Sequence, residues 1–302
     1  MATIHNFQQM TDHLSACRNR LRIAVVCGSD DSTLYAVTRA LHEGFVKIIF
    51  VGDVEKIQQH TELQPYADFV SYEHTADGVT SARRAVAMIR EGSADVLMKG
   101  LINTDILLRA VLDKECGLLP RGQVLTHLSV AQLPGRDQLL FFTDPAVIPY
   151  PTQEQRMAQV GYVISMCRTF GIEEPRISLL HCAEHVSDKF PHTLGYKDII
   201  ERAQQGEWGP AIVDGPLDLR TSIDPVTLKK KGINSPLEGH ADALIFPDIE
   251  AGNVFYKTIT FLGQADVAGT LQGTICPVIL PSRGDSGEDK FYSLAFASMA
   301  VK

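Results

Sequence analysis

Two stretches near the C-terminus share one pattern, and it constrains the fold more than anything else in the chain. Residues 243–246 are a short apolar run, followed by Pro247-Asp248 and a helical pattern to Lys257. Residues 278–280 are another, followed by a polar loop through Ser286 and a second helical pattern. A short apolar run bounded by turn residues reads as a strand buried on both faces, as in a parallel sheet. In open α/β sheets ligands bind at the carboxyl ends of strands, where such loops emerge. Asn253, Lys257, Ser282 and Arg283 lie on or just after these loops. Two fixed positive charges and several donors suit an anionic oxygen ligand, phosphate above all.

The rest of the chain repeats the alternation. Residues 22–27 and 47–51 read as strands flanking a helix that begins near Ser32, a βαβ start that implies a parallel sheet. The lone Gly28 after the first strand does not make G-x-G-x-x-G, so an ordinary strand-to-helix turn is favoured over a dinucleotide site. Further strands are expected at 69–72, 94–99, 123–130, 138–143, 177–180 and 211–213, with a turn at 134–137. The strand ending at Lys99-Gly100 precedes a helix with Leu107, Leu108, Val111 and Leu112 on one face and Thr104 as its expected N-cap. Free N–H groups there, with Lys99, would make an anion contact; a solvated lysine at a strand end fits the spacing as well. His181 and His185 follow a strand, where their spacing does not aim both rings at one metal, so no metal site is expected. Lys229-Lys230-Lys231 reads as the solvated end of a helix rather than an anion-steering patch.

Composition excludes several classes. The chain has 302 residues, 45% hydrophobic and 21% charged, enough for a large core in one or two domains. A formal net charge of −8 argues against nucleic-acid binding. No apolar run approaches the roughly 18 residues of a membrane span, and the N-terminus lacks the pattern of a signal peptide. The six cysteines have no Cys-x-x-Cys spacing, which fits reduced thiols in the cytoplasm.

Five ordered motifs carry a family resemblance. They are M-K-G-x-x-N-T at 98–104, L-R-x-V-L-x-K-E-x-G-L at 108–118, D-G-P-L at 214–217, P-D-I-E-x-G-N-x-x-Y-K at 247–257 and S-R-x-D-S at 282–286. A further K-x-P-x-T element sits at 189–193. Together they resemble the phosphate acetyltransferase / phosphate butyryltransferase family, closest to the butyryltransferases, over nearly the whole chain. The resemblance implies an isocitrate/isopropylmalate dehydrogenase-like α/β fold, two domains with a cleft between them, and a homodimer. The first domain is expected at 1–134 plus 285–302 and the second at 135–284.

The implied reaction is acyl-CoA plus phosphate to acyl phosphate plus CoA, with butyryl-CoA favoured over acetyl-CoA. No tightly bound cofactor is implied; coenzyme A is a substrate. The resemblance places Lys99, Asn103, Thr104, Asn253 and Lys257 on the substrates, and Ser282 and Arg283 in catalysis. Arg283 suits phosphate because its fork binds two oxygens, and Ser282 suits the carbonyl oxygen as a donor. By the motif S-R-G-x-S-x-E-D the general base corresponds to Asp289. Ser286 and Asp289 read equally as the two partners of a capping box, which leaves Asp285 as the second candidate. The chain has Gly284 where butyryltransferase-like sequences carry Ala, and it keeps both acids. Two other classes stand against this reading. A metal- and NAD-dependent dehydrogenase would need clustered aspartates and a nucleotide site. A non-catalytic acyl-CoA-binding protein would keep the cations but show no turnover.

Overall fold

The computed structural model describes residues 2–17, 19–282 and 284–301, in two compact units. The first unit runs from Phe7 to Leu125 and resumes at Val267; the second comprises Thr126–Asp266 with the residues up to Asn6.

Along the chain the first unit opens with α1 (Phe7–Ala16), β1 (Leu21–Val26), α2 (Asp31–Glu43), β2 (Val46–Gly52), the short α3 (Val54–Gln58) and β3 (Val70–His74). α4 (Gly78–Arg90), β4 (Val96–Lys99) and α5 (Thr104–Val111) follow. The second unit holds β5 (Thr126–Gln132), β6 (Leu140–Thr143), α6 (Gln153–Thr169), β7 (Arg176–Leu180), α7 (Tyr196–Gln204) and β8 (Ile212–Leu217). It continues through α8 (Leu219–Ile223), α9 (Pro225–Lys230), β9 (Ala243–Ile245) and α10 (Ile249–Lys257). The chain then returns through β10 (Asp266–Gln272), β11 (Val278–Ile279) and α11 (Gly287–Met299).

The first unit's strands lie in the order β3-β2-β1-β4-β11-β10. All neighbours are parallel except β10 and β11. The second unit's order is β5-β6-β9-β7-β8, parallel except for β5 with β6. The expected parallel sheet therefore holds for the central strands and fails where a tight turn joins neighbours. Gly135 (φ 79°) turns β5 back into β6 and Gly273 (φ 95°) turns β10 into β11, and a short connection can only make an antiparallel pair. These hairpins also bear on the unit boundaries. β5–β6 stays whole in the second unit and β10–β11 returns to the first sheet. The chain passes between the units at 125/126 and 266/267.

The central strands are buried on both faces: Ile23 to Val26, Val96 to Met98, Val278 and Ile279 are fully covered. Local chemistry starts the helices where the strands end. Asp30, Asp77 and Asp248 cap α2, α4 and α10, each accepting a backbone N–H from the first turn. Thr152 and Gln155 form a capping box on α6. The β1 and β4 ends draw together: Gly100 N donates to Val26 O (2.8 Å) and Leu101 N to Cys27 O (2.7 Å). A Cβ at Gly100 would lie 2.5 Å from the Cys27 carbonyl oxygen and 2.6 Å from Gly28 Cα. Gly100→Ala is therefore expected to lower stability by about 1–3 kcal/mol, read from the denaturant midpoint. An unchanged midpoint would mean the two strand ends are free to part.

Candidate active site

In the first unit β1 leads leftward in the sheet to β2, while β4 lies on its other side. The strand order therefore reverses between β1 and β4, and their carboxyl ends mark a switch point, the position where open α/β sheets bind ligands. Lys99 is the last residue of β4. Its side chain is buried at 4% exposure, and its ammonium donates to the carbonyls of Gly100 and Pro281, both at 3.3 Å. Pro281 ends β11's run and immediately precedes Ser282. One buried cation thus joins two strand ends at the root of the serine's loop.

The loop holds itself in a compact turn. Ser282 N donates to Asp285 Oδ2 (2.7 Å), Asp285 N to the Ser282 carbonyl (3.2 Å), and Gly284 N to Ser282 Oγ (3.4 Å). Ser282 is exposed and Asp285 partly so. Arg283, the expected phosphate ligand, lies outside the described residues. Ser286 and Asp289 form the capping box that the sequence allows. Asp289 N donates to Ser286 Oγ (3.1 Å) and Ser286 N to Asp289 Oδ2 (3.1 Å). The Ser286 hydroxyl lies 2.7 Å from the same carboxylate oxygen. Asp289 is only half-buried.

α5 begins beside this edge. Its N-cap is Asn103, in an extended conformation, rather than Thr104, which is already the first helical residue. Both side chains are exposed at the helix N-terminus, where free N–H groups favour an anion.

Asn253 and Lys257 belong to the second unit, one turn apart on α10 after β9. Asn253 Nδ2 donates to the Pro145 carbonyl (3.0 Å). The buried Asp144 shapes that neighbour. One of its oxygens accepts Ala146 N and Val147 N (both 2.8 Å), and the other accepts Thr126 Oγ1 (2.7 Å), Ile148 N (3.1 Å) and His127 N (3.2 Å). Gly252 packs on this loop so closely that a Cβ would lie 2.4 Å from the Asp144 carbonyl oxygen. Lys257 is exposed, its ammonium 4.9 Å from the Tyr256 ring centre.

The histidine segment makes a packed cluster. His192 Nε2 lies 3.3 Å from His181 Nδ1, and burial, with Arg156 and His181 nearby, pushes the His192 imidazole down to about 4. Among the described residues no three His, Cys, Asp or Glu side chains are grouped to hold a metal ion. Lys231 is not a free anion-steering charge either, for it bridges Glu184 (2.7 Å) and Asp218 (2.6 Å).

One feature escaped the sequence reading. α4 and α5 flank a groove of about 570 Å³ in the first unit. Its floor is apolar, with Val86 and Ile106, and Arg83, Arg90 and Arg109 line it. Arg90 Nη1 donates to the Gly117 carbonyl (3.0 Å). Asp113 is exposed at its edge, its carboxyl held at about 2 by the backbone N–H groups of Cys116 and Glu115. The signal lies in the spacing: 79, 83, 86 and 90 on α4, and 106, 109 and 110 on α5, each mark one helical face.

A doubly wound sheet with a buried lysine and a serine–carboxylate loop at its switch point is the frame of an α/β enzyme that handles oxyanions. Comparison with known proteins makes the class specific. The sequence model of the family described as phosphate acetyl/butaryl transferase matches residues 70–298. Phosphate butyryltransferase of Clostridium acetobutylicum is 34% identical over 93% of this chain and 93% of its own. Phosphate acetyltransferase of Thermotoga maritima is 35% identical over 92% of this chain and 94% of its own. The crystal structure of a branched-chain phosphotransacylase from Enterococcus faecalis covers 93% of this chain and 99% of its own, with 32% identity and a TM-score of 0.82. The chain belongs to the phosphate acetyltransferase / phosphate butyryltransferase family, and it is an acyltransferase. The fold is dehydrogenase-like: 4-hydroxythreonine-4-phosphate dehydrogenase from Klebsiella pneumoniae aligns over 94% of this chain and all of its own at a TM-score of 0.54, although only 12% identical. Among the described residues no helix is long and apolar enough to cross a membrane.

Proposed function

We propose that this enzyme interconverts a short-chain acyl-CoA and phosphate with acyl phosphate and CoA, with butyryl-CoA as the favoured substrate, in the cytoplasm and as a homodimer. The observation that carries the reading is the β4–β11 edge: Lys99 touches the Pro281 carbonyl, and Ser282, Asp285 and Asp289 follow within one turn of loop and one turn of helix.

The chemistry asks three things of that edge. The CoA thiol, with a free pKa of ~8.5, gives its proton to a carboxylate before the sulfur attacks the acyl carbon. The C–S bond forms, negative charge grows on the carbonyl oxygen, and the C–O bond to phosphate then breaks. Ser282 donates to the carbonyl oxygen, and Arg283 with Lys99 neutralises the departing phosphate. The N-terminus of α5, with Asn103 and Thr104, completes the phosphate contacts, while Asn253 and Lys257 serve the substrate from α10. Asp289 is the base in this reading, with Asp285 as the alternative. Asp285 already accepts the Ser282 N–H and Asp289 already closes a capping box, so each carries a structural duty as well. The α4–α5 groove takes the phosphate-rich end of coenzyme A. Guanidinium groups pair with phosphates bidentately, and the apolar floor suits a flat ring system.

Relatives named for acetyl and for butyryl transfer are similarly close, so the acyl group is decided by assay. Phosphate-dependent release of CoA thiol from acetyl-, propionyl-, butyryl- and isobutyryl-CoA is expected to peak at four carbons. A peak at acetyl-CoA would keep the mechanism and make the enzyme a phosphate acetyltransferase. Absence of phosphate-dependent turnover with every one would overturn the reading.

Asp289→Asn is expected to lower turnover by about 100-fold, in line with general-base catalysis, with a stability loss near that of a missing cap, about 1 kcal/mol. Loss of stability alone would transfer the base to Asp285. The double substitution Arg83→Ala/Arg109→Ala is expected to raise the KM for acyl-CoA about tenfold or more, since a charge-assisted hydrogen bond contributes about 1.5–3 kcal/mol. An unchanged KM would exclude the groove.

A further inference from the structure

The first turn of α11 is attached to α2 and its N-cap at three residues, 287, 288 and 290. Lys290, only 4% exposed, donates to Asp30 Oδ1 (2.9 Å) and to Thr33 Oγ1 (3.0 Å). Glu288 accepts the Tyr35 hydroxyl (2.9 Å) and pairs with the Arg39 guanidinium. Gly287 approaches so closely that a Cβ would lie 2.5 Å from the Tyr35 ring. Residues 288 and 290 flank Asp289, whose own carboxylate turns back to Ser286. The placement of Asp289 is therefore set by its two neighbours, and α2 is the platform they grip.

A buried ammonium is an odd choice if α11 needed only to pack. The helix already buries Phe291, Leu294, Ala295 and Phe296. An apolar residue at 290 would cost no ion desolvation, and exchanging a buried ion pair for apolar side chains is often neutral or stabilising. Apolar contact is also non-directional, so it tolerates small slides and rotations of one helix over another. An ammonium held by one carboxylate and one hydroxyl tolerates neither. Asp30 is itself fixed, capping α2 through Thr33 N (3.1 Å) and accepting the Ser32 hydroxyl (2.8 Å). Burial works against its charge, but the bonds from Lys290, Thr33 and Ser32 prevail and hold its carboxyl at about 2. Asp30 thus stays ionised well below neutral pH.

We propose that Lys290, through Asp30, and Glu288, through Tyr35 and Arg39, are positioning residues that hold the Ser282–Asp289 segment in register for acyl transfer. The assignment rests on the acyl-transfer function proposed above.

The test is steady-state kinetics of phosphate-dependent CoA release by the purified full-length protein. The variants are Lys290→Met, the double variant Asp30→Asn/Lys290→Met, and Glu288→Gln, each with its thermal midpoint. Lys290→Met leaves the Asp30 charge buried and unpaired, so it loses stability as well as register. The double variant removes both charges, so its midpoint is expected to return toward that of the wild type. Its kcat is nonetheless expected to stay at least about tenfold down, a loss confined to the turnover step, with the KM values for acyl-CoA and phosphate within about threefold. Glu288→Gln is expected to show the same split to a smaller degree. A double variant that regains kcat together with its midpoint would reduce Lys290 to a structural role and overturn the assignment. So would KM values that rise while kcat holds. A wild type with no phosphate-dependent turnover overturns the acyl-transfer reading itself, and that is seen before any variant is compared.

Discussion

The close approach of two strand ends underlies everything placed on the first unit. β1 and β4 are parallel neighbours, and their backbones stay hydrogen-bonded past the strands, through Gly100 and Leu101 to Val26 and Cys27. Only glycine fits at 100, because the Cys27 carbonyl and Gly28 occupy the space of a side chain. This contact brings Lys99 down beside β11 instead of out into solvent. Its ammonium has backbone carbonyls within reach, so a buried cation is tolerated there. A lysine held by carbonyls from two strand ends is fixed in place by the fold itself. In the second unit Asp144 plays the matching part. It gathers backbone N–H groups into one loop, and that loop supplies the carbonyl that Asn253 holds.

Much of the acidic excess is spent on this architecture. Asp30, Asp53, Asp77, Asp218, Asp224 and Asp248 each stand at a helix N-terminus and accept its free N–H groups. Asp113 and Asp144 do the same for turns. A carboxylate in such a place is held by the backbone and is hard to spare for proton transfer. Asp285 and Asp289 belong to the same pattern, each accepting a backbone N–H in its own loop. The net charge of −8 therefore says little about the ligand, since the cations that matter are few and local.

Legibility in the sequence followed the range of the interaction concerned. Buried strands such as those ending at Val26, Lys99 and Leu180 are legible as apolar runs, because burial on both faces leaves no polar alternation. The Ser286–Asp289 box was readable because a cap involves residues three apart. The N-cap falls one residue before Thr104: Asn103 is also a good capping type, and only the backbone angle separates them. β10 went unread, since Asp266, Gly269 and Thr270 interrupt its apolar pattern and its identity comes from pairing with β11. The partners of Lys290 were beyond reach for the same reason. Asp30 lies at the other end of the chain, and nothing within a helical turn of Lys290 announces it.

The strand order carries a consequence for how the polypeptide comes into being. β4 is paired with β1 on one side and with β11 on the other, Leu97 opposite Val278. More than half the chain separates those two strands. As the polypeptide leaves the ribosome, the whole second unit is made while one edge of β4 has no neighbour. An open apolar strand edge is a template for wrong pairing, and such long-range pairings form slowly. The nascent first unit is thus vulnerable to aggregation until the last few dozen residues arrive. The same late residues carry Ser282, Asp285 and Asp289, so completion of the sheet and assembly of the serine loop are one event.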